Sequence, residues 1–240
     1  MPSPTIYFNL RSPYSWLALE DLAARYPQLV GALQWRPYWD PDEESIAALK
    51  QAGGKFAYTQ MSREKHFYIL QDVKRLAGDR GLAATWPLDR DPCWEVPHLA
   101  CLAAESSGKM PALAYALSRA RWMHGKNICD RDTVAAVVDS LGLNGPELAG
   151  AEADPAIRES GTRMLLAAHR DGVFGVPFFV SGRARYWGVE RLEAFVSEVG
   201  SRGTDEGCRG TTDIETSHPD CGPVLLSASS SDAGHAGGCG

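Results

Sequence analysis

Two short stretches carry residues suited to chemistry. The first is Ser12-Pro13, in LRSPYSWLALE (residues 10–20), directly behind the apolar run Thr5-Ile6-Tyr7-Phe8. Serine is a favoured N-cap and proline a favoured first helical residue, so the pair reads as a helix start. A helix start carries unpaired N–H groups and the positive end of the helix dipole, which stabilise anions and thiolates. A hydroxyl placed there can donate a hydrogen bond to a bound sulfur anion. The plainer reading of the same residues is a cap and nothing more. The second stretch is Val176-Pro177, in GVFGVPFFVSGRARYWGVERLEAF (residues 172–195). A proline in a strand run removes a ladder donor, so it belongs at the first strand residue or on an edge. A cis bond there would turn the backbone outward and offer the Val176 N–H and C=O to an extended peptide. A trans proline that simply opens a strand is the alternative.

The elements that must position these residues are legible from periodicity. Residues 5–9 read as a strand. Residues 13–26 read as an amphipathic helix with Trp16, Leu19, Ala23 and Tyr26 on one face. Residues 33–39 read as a second strand. Helical segments follow at 42–51, 61–78, 94–106, 111–123, 131–140 and 155–170, rich in Leu and Ala and broken by Gly, Pro and Asn-Gly signals. Strand character returns at 176–180. Ser181-Gly182 forms a turn, Ala184 to Trp187 pairs back as a hairpin, and a last helix covers 189–199. The order is β-α-β, a helical block, then β-β-α. Neither strand-bearing half can bury its sheet face alone, so the two must meet. The expected division is residues 1–41 plus 171–200 as an α/β domain, 42–170 as an all-helical insertion, and 201–240 as a disordered tail. That tail has no aromatic residue, whereas all seven tryptophans precede residue 188. It cannot bury enough apolar surface to offset its ordering entropy.

Composition narrows the function. The chain has 240 residues, 44% hydrophobic and 22% charged, with net charge −6. The tail, with six acids and two bases, supplies −4 of that. There is no basic stripe for nucleic acid, no apolar run long enough to span a membrane, and no signal-like start. A cytoplasmic location is the expectation. The six cysteines, Cys93, Cys101, Cys129, Cys208, Cys221 and Cys239, form no C-x-x-C and no zinc-finger spacing, so free thiols are expected. His66, His98, His124 and His169 make no i, i+4 metal pair. Gly53-Gly54-Lys55 lacks the spacing and the Ser/Thr of a phosphate-binding loop.

SPYSW behind the first strand, GVFGVP before the third and the closing YWGVERLEAF together resemble the thioredoxin-fold group of kappa-class glutathione transferases and 2-hydroxychromene-2-carboxylate isomerases. The likeness covers about residues 4–199. It implies a thioredoxin-like α/β fold with an all-helical insertion between the β-α-β and β-β-α halves, glutathione as cofactor and a homodimer. It also implies site roles. Ser12 binds and activates the glutathione thiol. Val176 and a cis Pro177 clamp its cysteinyl part. Val189 and Glu190 hold the γ-glutamyl end, where the group usually has Asp instead of Glu190. Gly54 and Lys55 fall where relatives often carry Gly-Asn-Lys; Gly54 loses the side-chain donor, and Lys55 is available to a carboxylate. These departures leave room for a low-molecular-weight thiol other than glutathione.

Three functions stay open on these residues. The first is an isomerase in which a thiolate adds to a conjugated substrate, allows a bond to rotate and leaves. The second is a transferase that releases the conjugate. The third is a non-catalytic ligand-binding module in which Ser12 is only a cap. The first is preferred. A disulfide oxidoreductase lacks its thiol, because Ser12 and Ser15 stand where C-x-x-C would. Tyr14, Tyr38, Trp39, Trp86 and Trp94 are candidates for an aromatic substrate wall, with core packing as the plainer reading of the tryptophans and Tyr38, and Arg11 and Arg36 are candidates for a substrate carboxylate, with surface charge as the plainer reading.

Overall fold

The computed structural model describes residues 3–57 and 61–207. Four strands form one sheet: β1 (Thr5–Phe8), β2 (Gln34–Pro37), β3 (Phe178–Ser181) and β4 (Ala184–Trp187), in the order β2-β1-β3-β4. β1 is buried along its whole length, and an interior place in the sheet is what such a strand requires. It pairs parallel with β2 and antiparallel with β3, with Tyr7 opposite both Arg36 and Phe178. The two halves of the sheet, separated by the helical block, thus meet along β1.

The helices are α1 (Pro13–Arg25), the single turn α2 (Pro27–Val30), α3 (Glu43–Gln51), α4 (Arg63–Asp79), α5 (Glu95–Ala103), α6 (Met110–Trp122), α7 (Arg131–Ser140), α8 (Gly145–Ala149), α9 (Pro155–Asp171) and α10 (Leu192–Gly207). Capping residues explain several starts: the side chains of Asp42, Ser62, Asp130 and Asp154 accept from backbone N–H groups of α3, α4, α7 and α9. Gly172, left-handed at φ +74°, ends α9. α8 has only five residues and gives no periodic signal, so the sequence shows no helix there.

Four expectations need correction. The third strand starts at Phe178, not 176, because Pro177 has no N–H to give a ladder. The hairpin turn falls at Gly182-Arg183, and Gly182 takes the positive φ of +57°. Residues 189–191 are a 3₁₀ turn, and the helix behind it runs on to Gly207, so the segment expected to be a disordered tail from 201 begins as helix. The remainder of that segment, 208–240, lies outside the described residues, as do Cys208, Cys221 and Cys239. Finally, α1 does not bury one face. Residues 15–22 are all buried and Ala23 is exposed, because α1 is wedged between the sheet and the helical block.

One continuous apolar core runs from Ile6 through the insertion to Phe195. Trp16 of α1 stacks on Trp122 of α6 at 6.3 Å, and a buried aromatic of that size is worth about 3–5 kcal/mol on truncation. Acidic residues caught in this wedge are paired. Trp16 Nε1 and the Tyr115 hydroxyl donate to Glu20, each at 3.1 Å, and Arg80 grips Asp21 with two bonds of 2.9 and 2.8 Å.

Candidate functional site

The chain leaves β1 through a turn whose N–H groups are all accounted for. The Asn9 N–H donates to Ser15 Oγ (3.2 Å), the Leu10 N–H to His98 Nε2 (3.0 Å), the Arg11 N–H to Asn9 Oδ1 (2.8 Å) and the Ser12 N–H to the Asn9 carbonyl (2.9 Å). Ser12 then caps α1. It has extended backbone angles, and its Oγ accepts from the Ser15 N–H at 3.2 Å. Pro13 has no N–H, so the next donor at the helix start is Tyr14, whose N–H meets no acceptor among the described residues.

Opposite stands Val176. Its peptide bond to Pro177 is cis, and its carbonyl accepts the Ser12 hydroxyl at 3.4 Å. That distance is long for an O–H···O bond, which prefers 2.5–3.0 Å, so the proton is weakly held. The Val176 N–H has no acceptor among the described residues. The Pro177 carbonyl accepts from the Gly188 N–H at 2.9 Å, and Gly188 holds φ +96° as it enters the 3₁₀ turn. Val189 and Glu190 therefore sit beside the Val176–Pro177 segment, and their N–H groups open that turn without a partner among the described residues. Glu190 is exposed and has no ion-pair partner among the described residues. The structure thus brings Ser12, Val176, Pro177, Val189 and Glu190 to one end of the sheet, where the α1 start and the 3₁₀ turn each leave backbone N–H groups without an acceptor among the described residues. Such a place favours an anion.

Other expected site residues fare differently. Gly54 is packed: a Cβ there would lie 2.4 Å from Leu49 Cδ1 and 3.0 Å from Leu166 Cδ1, so the side chain that relatives often carry has no room. Lys55 is exposed and makes no ion pair among the described residues. Its segment is tied to the end of β2, where Phe56 stacks on Tyr38 at 5.0 Å and the Tyr38 hydroxyl donates to the Ala57 carbonyl. Tyr14 is half-buried with its hydroxyl donating to Asp72 Oδ2 at 2.8 Å. Burial and that carboxylate hold its phenol well above the usual value, so only its ring is free for a ligand.

The aromatic wall is mostly core. Trp39 is 1% exposed, donates to Glu95 and stacks on His98 at 5.7 Å; it cannot line a substrate pocket. Tyr38 and Trp94 are buried too. Trp86 alone stays open, at 37%, edge-on to Trp122. Arg36 is tied to the Tyr7 hydroxyl, Gln34 and Asp171. Arg11 reaches Asp40 at 3.2 Å. Sequence reasoning missed Phe174 and Trp187, exposed at 54% and 42% and in edge contact at 4.9 Å, beside the Val176 segment. One is on a loop and the other on an edge strand, so no periodic pattern marks them.

His98 was passed over for want of a metal partner. It is fully buried in α5; its Nδ1–H donates to the Trp94 carbonyl at 2.7 Å and its Nε2 accepts from Leu10. Burial, assisted by the Arg121 charge, lowers its pKa from 6.5 to about 3. The unfolded chain takes up a proton below about 6.5 while the folded chain stays neutral, so stability is lost as pH falls through that window. The expected loss is about 2 kcal/mol by pH 5, above the carboxylate range. Thermal midpoints measured from pH 7 to pH 5 check this, and a flat profile would contradict it.

The described cysteines are poor nucleophiles. Burial raises the pKa of Cys93 and Cys101, and pushes Cys129 up to about 12. No cluster of metal-ligating side chains is present among the described residues, and no described helix is long and apolar enough to cross a membrane.

Comparison with known proteins agrees with this architecture. The family model of the DSBA-like thioredoxin domain matches residues 5–200. A 2-hydroxychromene-2-carboxylate isomerase of Sphingobium xenophagum is 27% identical over 193 residues, covering 78% of this chain and 92% of that protein. A solved 2-hydroxychromene-2-carboxylate isomerase superposes with TM-score 0.65 at 21% identity, covering 87% of this chain and 99% of the other. A cytosolic disulfide reductase of Pseudomonas aeruginosa, solved with glutathione, superposes with TM-score 0.56 at 18% identity, covering 86% and 100%.

Proposed function

This chain belongs to the DSBA-like thioredoxin domain family, and from that premise we propose that it is an isomerase that borrows glutathione, or another small thiol, as a reversible nucleophile. The observation that carries this reading is the Ser12 hydroxyl, held at a helix start and directed at the Val176 carbonyl over only a weak 3.4 Å bond. A thiolate is a stronger acceptor than that carbonyl and would take over the proton. The Tyr14 N–H and the helix dipole add to its stabilisation. The unpaired Val176 N–H and its carbonyl suit the backbone of the cysteinyl part. The Val189 and Glu190 N–H groups suit a carboxylate at the far end, and the Glu190 side chain suits an ammonium. The likeness to a 2-hydroxychromene-2-carboxylate isomerase supports isomerase chemistry, and the relative solved with glutathione supports the thiol.

The chemistry needs no external oxidant. The thiolate forms a C–S bond to a conjugated, aromatic or polyene substrate, and the π electrons move onto the activating group. The former double bond rotates as a single bond. The electrons then return, the C–S bond breaks and the thiolate leaves unchanged. Disulfide exchange, the chemistry named for the Pseudomonas aeruginosa reductase, requires a sulfur at the helix start. Here that position is Ser12, and Ser15 is buried against the Asn9 N–H.

Thermal denaturation with glutathione and other small thiols tests the reading. A ligand at about 100 times its Kd should stabilise by about 2.7 kcal/mol. No shift with any thiol would refute the proposal. A stable thioether accumulating at one thiol per turnover would identify a transferase instead.

A further inference from the structure

The backbone of the turn that presents Ser12 is hydrogen-bonded from outside at a single residue, Leu10. Of the four N–H acceptors along residues 9–12, three come from within residues 9–15, and only His98 comes from elsewhere in the chain. The Leu10 carbonyl is held as well, accepting from Trp122 Nε1 at 3.0 Å. Leu10 is therefore gripped at both of its flanking peptides by the helical insertion, His98 from α5 on its N–H and Trp122 from α6 on its C=O. We infer that His98 is a positioning residue of this site: it anchors the Asn9–Leu10 peptide through the Leu10 N–H and so sets the direction of the Ser12 hydroxyl toward the bound sulfur.

The geometry defines one hydrogen-bonding state. An imidazole that accepts at Nε2 and faces a carbonyl with Nδ1 must be neutral and carry its proton on Nδ1. Its low pKa keeps it in that state at neutral pH. The ring itself is fixed by stacking on Trp39 and by edge contact with Trp94. Leu10 is two residues from Ser12, and the Arg11 and Ser12 N–H groups close back on Asn9. A displaced Leu10 would thus swing a tight turn, not a loose strand. A misplacement of about 1 Å at an oriented group can cost on the order of 10²-fold in rate. This role also accounts for a buried ionisable group that a core of leucines would not need.

The inference rests on the thiol-binding reading above, and one experiment separates the two. The thiolate absorbance of bound glutathione near 240 nm is titrated in the wild type, in His98→Gln and in His98→Asn. Glutamine places an amide oxygen near the Nε2 position and keeps the acceptor for the Leu10 N–H. Asparagine reaches only the Nδ1 position and leaves that N–H unpaired. The wild type and His98→Gln should ionise the thiol alike, and His98→Asn should show about tenfold less thiolate at neutral pH. A wild type without ionised glutathione refutes the thiol reading, and the inference falls with it. A wild type that ionises it, with all three proteins alike, or with Gln as impaired or as unfolded as Asn, overturns the positioning role alone.

Discussion

Ser12→Ala is expected to yield a folded protein whose turnover is lower by about 10²-fold or more, the loss that follows removal of one oriented donor to a developing or bound anion. Two separable effects are combined in that substitution. As a cap, Ser12 satisfies the Ser15 N–H, and its loss costs about 1 kcal/mol of stability. As a donor, its proton is held only loosely by the Val176 carbonyl, so it is available to sulfur. Steady-state rates and thermal midpoints distinguish the two. A small drop in midpoint with unchanged turnover would make Ser12 a cap alone. Ser12→Thr retains both the cap and the hydroxyl, and should recover most of the lost rate if its added methyl fits beside Val176.

Asp89→Ala is expected to destabilise the protein by about 3 kcal/mol. Arg121 is buried with its guanidinium 4.9 Å from the Trp94 ring and 5.0 Å from the Trp122 ring. Its charge is answered by two bonds to Asp89, at 2.7 and 2.9 Å, and its Nε has no partner among the described residues. Removing the carboxylate strands a cation in an aromatic slot. Asp89 itself is 23% exposed on its side chain, so water reaches that edge and keeps the loss at the lower end of the range for broken buried pairs. Pairing Asp89→Ala with Arg121→Met should be less damaging than Asp89→Ala alone, because no uncompensated charge is then left. Denaturant midpoints of the single and double variants measure this, and a single variant as stable as the wild type would contradict it. The pair also supports the site, since Trp122 holds the Leu10 carbonyl.

How much of this was readable from residues alone depended on the range of the interaction. Local signals worked. Ser12-Pro13 starts a helix, and the helical block falls close to the expected spans. The resemblance carried by SPYSW and GVFGVP placed Ser12 opposite Val176, and the two are in contact. Where the reading depended on which face a side chain shows, it left core and binding wall as alternatives that the residues themselves did not separate. Trp39 lies in a segment as aromatic as a binding wall, yet it is core. Phe174 and Trp187 looked unremarkable, yet they are open to solvent. Burial depends on what another part of the chain lays over a residue, and one-dimensional spacing does not contain that.

The order of elements, the two prolyl junctions, and the absence of a thiol at the first helix were properties of the sequence by itself, because propensity, capping and residue identity act within a few positions. The partners across long separations were decided only in the folded molecule: His98 on the Leu10 N–H, Trp122 on the Leu10 carbonyl, Asp89 on Arg121, and Leu166 against Gly54. Each of these depends on how the helical insertion docks onto the sheet. That docking is driven by a shared apolar core, which many pairings of similar residues could satisfy, so only the packed structure selects which polar groups meet.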